Sequence, residues 1–192
     1  MYILSNNHVL ADTNRGKRDD AVLQPGRLDG GRQAHQIGWL RYSQRLEARN
    51  NQVDAALASL DSEIDYDITY SGYNLEGVND EVELGMYAWK VGRTTGLTEG
   101  FVSAFDVDNV IVNYSDHDDE PNNLSFDGQI EIKSQPQTTL FFSKGGDSGS
   151  LILDEYDHAI GLLFAGSDRT GITYANPIQT VLDSFNAELL LT

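Results

Sequence analysis

Between residues 85 and 175 the sequence is a succession of apolar runs, none longer than eight residues and each closed by turn-forming residues. Runs this short suit strands, because an ordinary helix needs a longer periodic stretch. Residues 86–92 and 100–104 read as strands separated by Arg93-Thr94-Thr95-Gly96. Residues 107–114 alternate around Val110, Val112 and Tyr114, and residues 129–133 alternate again. Residues 150–153, 159–165 and 171–175 are three further apolar runs, and residues 115–127 read as a loop rich in Asp, Asn and Pro. The 18 glycines against 4 prolines supply the turns that an all-β chain needs.

The N-terminal part is less regular. Tyr2-Ile3-Leu4 reads as a strand running into Ser5-Asn6-Asn7-His8. Residues 12–31 form a polar loop broken by a short strand at Ala21-Val22-Leu23, and residues 36–42 are a strand. Val53-Asp54-Ala55-Ala56-Leu57-Ala58 either starts a helix, since alanine favours one, or forms a short buried strand. At the other end Asn176 is a candidate N-cap with Pro177 at the first helical position. Ile178, Val181, Leu182, Phe185 and Leu189 then recur at helical spacing, which predicts a helix over 177–190. The expected fold is all-β, with two Greek-key barrels of the six-stranded type and a short C-terminal helix. Residues 1–75 would form the N-terminal barrel and residues 76–192 the C-terminal one.

Composition narrows the function. With 40% hydrophobic residues a packed core can form. There is no cysteine, so disulfides, thiolate metal sites and cysteine nucleophiles are excluded. A reducing compartment such as the cytoplasm fits, as does a secreted bacterial protein. No apolar stretch is long enough for a membrane-spanning helix. Met1 opens directly on a strand-like segment without a basic region or cleavage site, so no signal peptide is expected. The formal charge of −17 repels phosphate backbones and argues against a nucleic-acid partner. Asp outnumbers Glu two to one and lysines number only four, a bias that also suits adaptation to salt. No Walker-type loop occurs, and no metal or other cofactor is expected. The acidic loop Asp116-His117-Asp118-Asp119-Glu120 lacks EF-hand spacing and reads as solvated.

The segment that carries chemistry is Gly145-Gly146-Asp147-Ser148-Gly149-Ser150. A serine hydroxyl is a weak nucleophile until a base takes its proton and a third group orients that base. Acyl transfer also needs backbone donors aimed at the developing oxyanion, and glycines let the backbone approach the substrate. Alone, the tetrapeptide Gly-Asp-Ser-Gly is equally an ordinary glycine-rich turn. His8 and Asp54 precede it in the order His, Asp, Ser, at separations of 54 − 8 = 46 and 148 − 54 = 94 residues. The flanks are Leu4-Ser5-Asn6-Asn7-His8-Val9-Leu10 and Asp54-Ala55-Ala56-Leu57. His35, His117 and His158 sit in segments without such a motif and read as surface residues.

In these residues, their order and their spacing, the sequence resembles the trypsin-like (chymotrypsin clan) serine peptidases, especially their bacterial cysteine-free members. The resemblance runs from residue 2 to about residue 186. It implies a serine endopeptidase with a polypeptide substrate, with Ser148 as nucleophile, His8 as base and Asp54 as the group that holds the imidazole. It further implies an oxyanion hole at the amides of Gly146 and Ser148. It places Phe142 at the base of the primary pocket, Phe164, Ala165 and Gly166 along one wall and Gly171 along another. With no acidic residue at the pocket floor, a small or medium apolar side chain is expected before the cut. Asp147 matches the aspartate that, in zymogen-activated members, pairs with a newly made N-terminal amine; Met1-Tyr2 does not resemble such a terminus.

In the clan the catalytic histidine follows two or three strands, and here it is the eighth residue. The N-terminal barrel is therefore expected to lack its first strands. Truncation of the sequence, or a homo-oligomer or partner chain that completes the barrel, accounts for this better than a smaller closed barrel. Two other functions fit the same residues: a protein-binding or assembly module on a trypsin-like fold, and a peptidase that processes its own precursor.

Overall fold

The computed structural model describes residues 1–115, 122–135, 140–167 and 169–191. The chain divides into two compact units. The first comprises Met1–Leu46 and Asp54–Asp67, the second Glu47–Val53 and Ile68–Thr192. The acidic loop at 116–120, His117 included, lies outside the described residues.

The first unit contains β1 (Tyr2–Ser5), α1 (Asn7–Leu10), β2 (Ala21–Leu23), β3 (Gln36–Ser43) and β4 (Ala56–Leu60). Its strands form an open antiparallel sheet in the order β1-β4-β3-β2. The period of two sends Val22, Leu40, Ala56 and Ala58 to one face, where they pack with Ala11. Ile3, Leu10 and Ile37 close that cluster. Of the two readings of residues 53–58, the strand is the one realised. Buried alanines let β4 lie between β1 and β3, and the ladder bonds to both neighbours override helix propensity. One detail departs from the expected strand run: residues 7–10 turn into α1. Asn6 is the N-cap, and its carbonyl accepts from the Leu10 N–H at 2.9 Å.

The second unit contains β5 (Gly77–Val78), β6 (Tyr87–Gly92), β7 (Gly96–Val107), β8 (Val110–Asn113) and β9 (Asn123–Phe126). It continues with β10 (Gln129–Ser134), β11 (Leu151–Leu153), β12 (His158–Ser167), β13 (Ile172–Pro177) and α2 (Ile178–Phe185). Strands run in the order β11-β6-β7-β10-β13-β12, and β12 pairs back onto β11, so six strands close into a barrel. β5 adds to β12 in parallel, and β8 with β9 makes a separate two-stranded ribbon. Inward-facing Val102, Ile130, Ile132, Phe142, Ile152 and Ile160 fill the barrel. Burying each such side chain contributes roughly 1.5–3 kcal/mol.

The all-β class and the single short C-terminal helix hold. Two local expectations do not. Residues 123–126, expected within a loop, form β9, which pairs with β8 and is also bonded by the segment at 47–53, a contact that composition does not reveal. Ser125 N–H donates to the Ala48 carbonyl at 3.2 Å, and Asn51 N–H donates to the Ser125 carbonyl at 3.1 Å. Asn176 does not cap the helix expected over 177–190. Its buried side chain donates to Gln129 Oε1 at 2.7 Å, and β13 runs on through Pro177, which pairs with Gly161. Asn186, in the left-handed region at φ 48°, then ends α2, so Leu189 lies beyond it.

Candidate active site

In the first unit the turn from β1 into α1 places His8 against Asp54, two residues before β4. His8 Nδ1 lies 2.6 Å from Asp54 Oδ2, and the His8 backbone N–H donates to Asp54 Oδ1 at 3.1 Å. Both carboxylate oxygens are thus engaged by one residue, and Asp54 is fully buried. The Asn6 side chain donates to the Asp54 carbonyl at 2.8 Å and holds the backbone of the aspartate as well. A buried carboxylate on Nδ1 selects the tautomer that carries its proton there and leaves Nε2 as the acceptor. Sequence reasoning did not single out Asn6. Its signal is position: an asparagine between a strand and a helical turn, two residues before the histidine.

In the second unit residues 145–150 form a glycine-rich turn just before β11. Gly149 N–H donates to the Leu163 carbonyl at 2.9 Å, and Leu163 N–H donates back to the Ser150 carbonyl at 2.9 Å, so β12 pins the turn. The Ser150 hydroxyl donates to the Asp147 carbonyl at 2.6 Å. The N–H groups of Asp147, Gly149 and Ser150 are therefore all used. Those of Gly146 and Ser148 donate to no described residue of this unit, and neither does the half-buried Ser148 hydroxyl. Gly146 has φ 98°, and a Cβ there would collide with the Arg93 guanidinium and the Thr94 hydroxyl. A side chain at that position would be strained by the backbone alone, which favours glycine there.

Beneath this turn lies a polar centre that sequence reasoning saw only in part. Asp147 is fully buried and accepts from Thr94 N–H at 2.7 Å, Thr95 N–H at 3.1 Å, Lys144 N–H at 3.0 Å and the Thr95 hydroxyl at 2.7 Å. Lys90, equally buried on β6, lies 3.5 Å from Asp147 Oδ2 and donates to Thr95 Oγ1 at 2.6 Å. Burial works to raise the Asp147 carboxyl, but the Lys144 amide, the Thr95 hydroxyl, the Thr94 amide and the Lys90 cation outweigh it and hold it below the ordinary range. Burial lowers Lys90, with Asp147 opposing. Gly92 makes room for the pair: a Cβ there would strike the Asp147 carboxylate and come within 2.9 Å of Lys90 Nζ. The only sign of Lys90 in the sequence is a lysine on the same strand face as Ala88 and Gly92.

The residues expected around a primary pocket are all in the second unit. Phe142 and Phe164 are fully buried; Phe142 belongs to the barrel core, and Phe164 packs on Phe126 with ring centroids 4.7 Å apart. Ala165 and the more exposed Gly166 follow on β12, and Gly171 precedes β13 with φ 69°. Beside Gly166, two side chains escaped sequence reasoning: Ser143 Oγ and Thr173 Oγ1 share a hydrogen bond of 2.6 Å, and a Cβ on Gly166 would lie 3.1 Å from Ser143 Oγ. Of the other histidines, His35 is exposed, whereas His158 lies 3.7 Å from the buried Asp154 and is half-exposed. No three potential metal ligands cluster among the described residues.

No protein-family model matches the chain, and neither does any curated protein sequence. Solved structures do match. Cellulomonas bogoriensis chymotrypsin superposes with a TM-score of 0.61 at 17% identity, over 98% of this chain and 85% of that one. The chain has the trypsin-like fold. Thermobifida fusca protease A matches this trypsin-like chain over its full length and over 85% of its own, with a TM-score of 0.61 and 18% identity. Nocardiopsis protease matches 98% of it and 84% of its own length, at 0.62 and 19%. At such identities the likeness carries the fold, while the chemistry rests on the residues above.

Proposed function

We propose that this trypsin-like chain is a serine endopeptidase that works through an acyl-enzyme. The observation that carries the reading is the buried Asp54 carboxylate, which engages both the Nδ1 and the backbone N–H of His8. Ser148 Oγ attacks the scissile carbonyl carbon as its proton passes to His8 Nε2. The oxygen that becomes negative takes hydrogen bonds from the Gly146 and Ser148 amides. The C–N bond breaks as His8 returns the proton to the leaving amine, and water then releases the acyl group by the same route. Asp54 keeps the imidazole oriented and stabilises its charged form.

Lys90 provides, from within the barrel, the cation that the resemblance assigns to a freshly cut N-terminus in zymogen-activated relatives. Its contact with Asp147 supports a turn at 145–150 that needs no such cut. Phe142, Phe164, Ala165, Gly166 and Gly171 bound the primary pocket in this reading, and a small or medium apolar residue precedes the cut. A fluorophosphonate should label the chain at Ser148 and leave Ser148→Ala unlabelled. Labelling that survives in Ser148→Ala, or none in a chain that unfolds cooperatively, overturns the reading. Dominant cleavage after Arg in a peptide library overturns the pocket assignment alone.

A further inference from the structure

A second concave site lies within the second unit. It is a cavity of about 450 Å³ lined by residues of the second unit alone, among them the start of α2, the end of β7 and the segment around Asn79. That volume is in the range of ligand-binding cavities, roughly 300–1,000 Å³. Its accessible apolar surface is Phe105, 46% exposed, with the half-buried Val82 and Pro177, while Ile130, Ile160 and Ile178 close it from beneath, each at most 2% exposed. Four carboxylates, Asp80, Glu81, Asp106 and Asp127, also line it, with no lysine, arginine or histidine. None of the four forms an ion pair among the described residues.

The walls are fixed before any ligand arrives. Asn79 donates to the buried Asp154 at 2.9 Å and takes the Glu81 N–H at 3.0 Å on its own side-chain oxygen. Asp127 Oδ1 accepts from the Asn109 N–H at 2.8 Å, and Gln129 Nε2 donates to the Gln52 carbonyl at 2.9 Å. A compact metal ion does not suit the cavity, because no three of the described acidic groups cluster as metal ligands. Acids spaced around an apolar surface match instead a cation whose charge sits at the end of an apolar stem.

We propose that this cavity docks a basic segment of another polypeptide, with arginine or lysine heads at the carboxylates and the stems and neighbouring apolar side chains on Val82, Phe105 and Pro177. Charge complementarity sets the sign of the partner. The site is distinct from the turn at 145–150, so the chain would hold a basic partner independently of what happens at Ser148.

The test uses the full chain carrying Ser148→Ala, so that the probe is not consumed. A fluorescein-labelled peptide of alternating leucine and arginine is titrated and followed by anisotropy. Saturable binding is expected, weakened at least tenfold by Asp80→Asn/Glu81→Gln/Asp106→Asn and by glycine in place of the peptide's leucines. The control Asp61→Asn/Glu63→Gln/Asp65→Asn removes as much charge from the first unit and should change affinity less than threefold. Equal loss in the two triple variants would reduce the effect to the net charge of −17 and overturn the site. So would non-saturable binding, or unchanged affinity in the first variant. Butylguanidine competing at the peptide's own concentration would overturn the assignment to a polypeptide.

Discussion

The core of the first unit rests on Ala11, Ala56 and Ala58 with Val22 and Leu40, under an open sheet of four strands. The second carries Phe142 and five isoleucine or leucine side chains inside six strands closed on themselves. Small side chains allow close packing but remove little apolar area from water, so the first unit leans on polar clamps. Asn7 donates to the Gln44 carbonyl at 2.7 Å and to Asn14 Oδ1 at 3.0 Å, and Asn14 donates to the Leu46 carbonyl at 2.8 Å. The second unit buries a charged pair, Lys90 and Asp147, under the turn that holds Ser148. An open sheet clamped by asparagines carries His8 and Asp54, and a closed barrel carries Ser148. Substitutions can separate the two strategies.

The largest effect is on chemistry. On the proposed mechanism Asp54→Asn keeps the fold and lowers kcat on the order of 10⁴-fold, because the imidazole loses the group that sets its tautomer. Steady-state hydrolysis of a reporter peptide measures this, and a loss below tenfold would remove Asp54 from the mechanism. Next comes the buried centre of the second unit. Lys90→Met leaves Asp147 without its cation and should cost about 3–5 kcal/mol in urea unfolding. Adding Asp147→Leu to it should recover part of that loss, and a double variant weaker than Lys90→Met would show that the amide donors around Asp147 dominate.

Ile132→Ala probes the barrel core and should cost roughly 2–5 kcal/mol, with amide exchange accelerated throughout the second unit. Tyr70 gives the pH dependence. Its hydroxyl is bonded to Val91 and Leu151, and burial, opposed by the Val91 contact and aided by Asp147, pushes its pKa up to about 12. Above pH 10 the unfolded chain releases this proton while the folded one keeps it, so stability is complete below pH 10 and falls as pH approaches 12. The loss reaches roughly 2–3 kcal/mol. Tyr70→Phe should make the fall in urea midpoint between pH 9 and 11 shallower, with the remainder left to Tyr87 and Tyr174, which are also raised. An equally steep fall would place the titration elsewhere. The smallest effect belongs to the first unit: Asn14→Ala should cost about 1–3 kcal/mol and speed exchange there while leaving the barrel protected. Uniform acceleration would show that the two units unfold together.

Much of this was legible beforehand. The strand at residues 2–4, the one at 21–23 and the barrel strands near 86–92, 129–133 and 159–165 follow from alternation and turn residues, which act over a few positions. The turn at 145–150 and the histidine and aspartate ahead of it were readable as motifs. Lys90 was not, because nothing local distinguishes a lysine that will meet a buried carboxylate from one that will face water. β9 was not, because its Asn- and Asp-rich surroundings read as loop, and besides β8 it is held by Ala48 and Asn51, more than seventy positions earlier.

By itself the sequence determined the all-β class, the absence of thiol chemistry, the acidic surface and the serine-centred turn, since all of these reside in residue type and short-range pattern. Only the tertiary structure decided that the Ala56 segment is a strand, that Asn176 serves Gln129 rather than α2, and that both oxygens of Asp54 close on His8. Each of those outcomes depends on a partner distant in sequence, and hydrogen bonds formed out of water are strong enough to overrule the local preference of the residues that make them.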